Sequence, residues 1–246
     1  MKPIPMPPPE SSATLLVFGA HPDDIEFGCG GVVALETREG RSAHLVLGSR
    51  GEAGTNGTPD QRALEAQRGA TALGATLEFV DLGGDAHFER TVENTLKLAV
   101  IIRRVRPSVL LAPTVVENQH PDHARLGAMV RDATRLARYG GVVELKGLPP
   151  HTIDALHFYA VSPDAEPRDI SPVFIDVSAP EVIEAWTAAI QAHASQAKTR
   201  DYADLVLTRA HANGLRCGVR HAVPLFPNDP PVFESLAPLA RAARRF

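Results

Sequence analysis

Cysteine is nearly missing from this 246-residue chain, which has only Cys29 and Cys217. Two thiols exclude a disulfide framework and a four-thiolate zinc site. An excess of basic charge is also missing. The 25 lysines and arginines face 29 acidic residues, a formal net charge of −4, which argues against a nucleic-acid binder working through bulk positive potential. No apolar run is long enough to cross a bilayer: the first, Leu15 to Gly19, is five residues, against about 20 for a spanning helix. The start lacks the basic-then-apolar pattern of a signal peptide. Cytoplasmic location with no membrane partner is therefore expected. With 22% charged and 44% apolar residues, the composition excludes collagen, coiled coil and wholesale disorder. Ten histidines are present. Any bound metal must be held by histidine and carboxylate.

The first twelve residues, MKPIPMPPPESS, carry five prolines in nine positions, so residues 1–12 are expected to form an extended, disordered or surface-draped tail. From residue 14 apolar runs alternate with helical patterns. TLLVFGA (14–20), SAHLVLGS (42–49), TLEFVDLG (76–83) and SVLLAP (108–113) read as strands. Residues 30–40, 59–74, 92–106 and 120–140 read as helices, several of them entered through proline or closed by glycine. This alternation predicts a doubly wound α/β fold on a mostly parallel sheet. Past residue 150 the pattern loosens. DALHFYAV (154–161) and PVFIDVS (172–178) read as strands with no helix between them, so the sheet is expected to become mixed. Residues 180–196 and 202–218 read as helices. The proline-rich stretch from about 219 is expected to cover the domain as a loop. No composition break divides 13–246, which suggests a single catalytic domain.

The chemistry concentrates at two predicted strand ends. The first strand runs into His21-Pro22-Asp23-Asp24, and the fourth leads to His120-Pro121-Asp122-His123. In open parallel sheets ligands bind at the carboxyl ends of strands, where the strand order reverses. Either string alone is also ordinary turn and cap chemistry. Two of them on one sheet edge match a nitrogen- and oxygen-ligated zinc site.

AHPDD at 20–24 and HPDH at 120–123, with GE at 51–52 and the Arg62/Glu65 pair, resemble the PIG-L/LmbE family of zinc-dependent N-acetylglucosaminyl deacetylases. The likeness runs from about Leu15 to Gly218 and is greatest to the bacillithiol-biosynthesis branch. It implies a Rossmann-like fold and a single Zn2+ per chain held by His21, Asp24 and His123. It further implies Asp23 as general base, and His120 as oxyanion donor with Asp122 as its orienting partner. Arg62 matches a family arginine suited to a sugar hydroxyl, carboxylate or phosphate, and Glu52 and Asp85 are placed to receive sugar hydroxyls. The implied substrate is a small N-acetylated sugar conjugate, and the implied assembly a homo-oligomer.

Two other functions remain open on the sequence. Histidine–aspartate clusters also build two-metal phosphoesterases, though these need about five or more ligands. A Rossmann-like scaffold can also serve as a non-enzymatic sugar- or nucleotide-binding module. Gly28, Gly30 and Gly31 predict close packing beside the first cluster, since no G-x-G-x-x-G string follows a strand. His193 falls in register with Val182, Trp186 and Ile190, which favours a core or loop-anchoring role. His221 and Val223 depart from the family pattern.

Overall fold

A computed structural model describes residues 14–117, 120–198, 200–233, 235–236 and 242. The proline-rich tail lies outside them. Seven strands form one sheet in the order β3-β2-β1-β4-β5-β7-β6. Strands β1 (Leu15–Gly19), β2 (Ala43–Leu47), β3 (Thr76–Phe79), β4 (Val109–Pro113) and β5 (Ala155–Tyr159) are mutually parallel. Strand β7 (Ala222–Pro227) is antiparallel to both β5 and β6 (Val173–Asp176). The expected mixing toward the C-terminal part is therefore present.

Strand β1 shows why its sequence is apolar throughout. Leu15 and Val17 belong to one buried cluster, and Leu16 and Phe18 to the other. Side chains alternate across a strand, so a strand covered on both faces has no polar face to show. Helices α2 (Gly30–Arg38), α3 (Pro59–Ala72), α6 (Pro180–Gln191) and α7 (Tyr202–Cys217) contribute to the first cluster, with Trp186 at its centre. Helices α4 (Val92–Val105) and α5 (Pro121–Arg138) pack together over the other face. No helix among the described residues is long and apolar enough to cross a membrane.

Two elements differ from the sequence reading. A short helix, α1 (Asp24–Gly28), begins inside the first histidine–aspartate string. The stretch from about 219, expected as loop cover, instead contains β7, inserted between β5 and β6. Its prolines fit because of parity. Asn228 N donates to Leu156 O on the β5 side, while His221 O accepts from Val177 N on the β6 side. Even-numbered residues thus face β5 and odd-numbered ones β6. Pro224 would donate toward β5, but that pairing covers only Phe226 and Pro227. Pro227 would donate toward β6, where pairing stops at Leu225. Neither missing N–H interrupts a ladder.

Candidate metal centre

The chain leaves β1 for β2 and β3 on one side and returns as β4 on the other. The strand order therefore reverses between β1 and β4. Both histidine–aspartate strings sit at this point, one after each strand. The first turns sharply: Asp23 has φ 102°, a left-handed conformation rare for a side chain with a Cβ, and costing about 1–3 kcal/mol. That turn separates the two carboxylates. Asp24 enters α1 and points back, its Oδ2 accepting from Ala20 N and His21 N at 2.9 Å each. Asp23 instead faces Arg62, with Oδ2 3.6 Å from Nη2.

The second string opens α5, with His120 at its N-cap and Pro121 in the first turn. His123, one turn in, brings Nε2 to 3.1 Å from Asp24 Oδ1. His21 Nδ1 lies 3.4 Å from Asp24 Oδ2. His21, His120 and His123 each present a nitrogen within 4.8 Å of the others. A second grouping, His21, Asp85, His120 and Asp122, shares two of those imidazoles.

These residues suit a metal ion. With bonds of about 2.0–2.1 Å, neighbouring ligand atoms in a tetrahedral zinc site stand about 3.3–3.4 Å apart, and the two oxygens of Asp24 stand at comparable distances from one imidazole each, 3.4 Å from His21 and 3.1 Å from His123. Asp24, Asp85 and Asp122 are all buried beside the mostly covered Asp23. Such crowding of carboxylates is costly unless cations answer it. Burial works against ionisation of Asp24, yet His123 and His21 outweigh it and hold its carboxyl well below the usual range. Burial likewise opposes ionisation of Asp85, and His120 and His21 reverse the direction. Asp23 goes the other way. Burial and then the Asp24 charge push it up to about 7, against the pull of His193, Arg62 and His21.

The remaining expected site residues fall in different places. Arg62 is buried, and its Nη1 and Nη2 donate to Gly51 O and Pro22 O at 3.1 and 3.0 Å. It ties the loop after β2 to the Asp23 turn. The loop passes close over the guanidinium at Gly51, at φ 72°, where a Cβ would stand 2.0 Å from Nη1. Glu52 stands on the far side of the loop from the histidines. Its two carboxylate oxygens accept from Arg50 N and Asp85 N at 3.0 Å each, and it lines a separate cleft. It braces loops and does not face the metal site. Asp122 Oδ2 is 3.5 Å from His21 Nε2, whereas Asp85 Oδ1 stands at His120 Nε2, 3.4 Å away. His193 is buried, with Nε2 3.2 Å from Glu26 Oε1. Gly28 packs under Tyr159, and Gly30 and Gly31 under Trp186, as close packing requires.

The centre opens into a cleft of about 870 Å3, within the size range of small-molecule sites. Phe27, stacked on Tyr202 with ring centroids 4.7 Å apart, also lines it, as do Arg200 and Arg209. Nothing in the sequence marks these residues as a group, because α1 and the stretch from Arg200 into α7 meet at the cleft only through tertiary packing.

Comparison with known proteins agrees with this geometry. A family model described as GlcNAc-PI de-N-acetylase (PIG-L) matches residues 16–134. The chain is 29% identical to diacetylchitobiose deacetylase of Thermococcus kodakarensis over 195 residues, covering 74% of this chain and 69% of that protein. It is also 29% identical to 4-oxalmesaconate hydratase of Pseudomonas putida over 211 residues, covering 79% and 77%. The crystal structure of a conserved protein from Thermus thermophilus superposes with a TM-score of 0.81 at 31% identity, covering 93% of this chain and 99% of that one. Residues 16–134 are a PIG-L family domain.

Proposed function

We propose that the chain is a zinc-dependent N-deacetylase. It hydrolyses the acetamide of a small molecule containing N-acetylglucosamine and releases acetate and a free amine. The observation that carries this reading is the divergence of two adjacent carboxylates. Asp24 is tied to the histidines, while Asp23 stands apart with a carboxyl pushed up to about 7.

In this reading His21, Asp24 and His123 hold one zinc ion. When bound, the ion supplies an acidified water and a Lewis acid for the amide carbonyl. Asp23 takes a proton from the attacking water at its carboxylate and returns it to the departing nitrogen. A base poised near neutrality suits both transfers. His120 donates a hydrogen bond to the carbonyl oxygen as it gains charge. Arg62 holds the Asp23 turn and, on the cleft wall, can donate to a sugar hydroxyl. Glu52 acts through the loops it braces.

One ion is favoured over two, because the two candidate groupings share His21 and His120. That weakens the phosphoesterase alternative. A pure binding module has no use for the separate carboxylate at Asp23. A second enzymatic reading, addition of water across a double bond, is favoured by the identity to the Pseudomonas putida hydratase. A substrate panel separates these readings. Zinc-loaded protein is offered N-acetylated glucosaminides, phosphomonoesters and unsaturated dicarboxylic acids. Amine release from the first class alone is expected. Turnover confined to either of the others overturns the proposal.

A further inference from the structure

Asp85 sits in the loop after β3, where the backbone is tightly held. Asp85 N donates to Glu52 Oε2 at 3.0 Å, and the next amide, Ala86 N, donates to Asp122 Oδ2 at 2.7 Å. Gly83, Gly84 and Ala86 all take positive φ, 113°, 87° and 66°. The chain thus doubles back to drive one carboxylate inward, and Asp85 is buried. Its Oδ1 has two nitrogens against it, His21 Nε2 at 3.1 Å and His120 Nε2 at 3.4 Å. Neither that oxygen nor His21 Nε2 has a formed hydrogen bond, so each is left with the other as its near polar neighbour. His21 meets Asp24 through the opposite edge of its ring, Nδ1.

A metal-binding imidazole uses one nitrogen for the ion and gives its other N–H to an outer acceptor, which sets the tautomer and the ring orientation. Asp24 and His123 define the metal side of His21. Nε2 is then the outward nitrogen, and Asp85 is nearer to it than Asp122.

We propose that Asp85 is a positioning residue of the metal centre: through Oδ1 it orients His21 by Nε2 and steadies His120 at the same point. This rests on the reading of His21 as a metal ligand. It also departs from a sugar-hydroxyl role for Asp85, because the oxygen in question faces the two imidazoles. One carboxylate oxygen therefore links a ligand to the oxyanion donor, so damage there reaches both metal affinity and turnover.

The test is Asp85→Asn, with zinc affinity of the metal-free protein measured by chelator competition and no substrate present. Zinc binding is expected to weaken about 10- to 100-fold, the absorption of the cobalt-loaded protein to shift, and kcat to fall while KM stays near wild type. Unchanged zinc affinity with a raised KM overturns the proposal and returns Asp85 to substrate binding. Complete loss of zinc binding in a folded variant overturns it too, since that marks a direct ligand. A measurement on wild type keeps the idea exposed should the variant not fold. Zinc-loaded protein labelled with 15N-histidine is expected to show a slowly exchanging, downfield Nε2 proton on His21, and its absence overturns the proposal. Wild type that binds no zinc at all fails the metal reading itself, a result distinct from the others.

Discussion

Asp24 Oδ1 stands 3.1 Å from His123 Nε2, joining the turn after β1 to the first turn of α5. These two residues lie far apart in sequence and meet only because β1 and β4 are neighbours in the sheet. Replacing His123 by alanine leaves the ion with one fewer neutral donor. Metal content of purified His123→Ala, measured by atomic emission, is expected to fall from near one zinc per chain to a small fraction. Wild-type metal content would remove His123 from the ligand set.

Asp23 stands outside that pair, so its removal separates chemistry from metal binding. Asp23→Asn keeps the size of the side chain and loses the base. Zinc content is expected to match wild type, and kcat to fall by about 10²- to 10⁴-fold, the range for a positioned acid–base group. A kcat within a few-fold of wild type would assign proton transfer elsewhere.

The strand and helix plan is legible in the sequence to within a few residues because the central strands β1 and β4 are apolar on both faces and each helix has a proline, threonine or glycine at an end. Thr58 and Thr91, for example, cap α3 and α4 by accepting from Gln61 N and Asn94 N. Strand β7 is not legible, since its prolines are harmless only for the register of its neighbours. The meeting of the two histidine–aspartate strings is legible because short motifs carry them at the ends of neighbouring strands. The contacts of Glu52, Asp85 and Asp122 are not, because backbone amides and imidazoles contributed by other loops decide which oxygen faces which ring.

Gly28 tests the packing that seats α1. A Cβ there would lie 2.2 Å from Tyr159 Cδ2, and Tyr159 is itself anchored by its hydroxyl donating to Phe18 O at 2.7 Å. Gly28→Ala is expected to cost about 1–3 kcal/mol, as overpacking does. At about 2–4 °C per kcal/mol for a chain of this size, the melting temperature falls by several degrees. An unchanged midpoint in thermal unfolding would show that the Tyr159 ring moves aside freely.

His193 carries a pH signature. Burial alone would lower its pKa, but Glu26 at 3.2 Å outweighs burial, and the folded value lies above the ordinary 6.5. A histidine raised on folding stabilises fully below its unfolded pKa, and that contribution is lost as pH climbs through the folded one. In urea unfolding of the metal-free proteins, the stability gap between wild type and His193→Gln is therefore expected to be widest below pH 6.5 and to narrow above it. A gap that is constant with pH would mean that folding leaves the His193 pKa unchanged, and a gap that widens above pH 6.5 would mean that His193 is buried neutral.

The most direct test of the whole account is a zinc titration of metal-free wild type while it acts on an N-acetylated glucosaminide, with free amine as the readout. The account predicts that amine and acetate appear in equal amounts and that the rate reaches its plateau at one zinc per chain. No amine at any zinc level, or a plateau only at two, would contradict it.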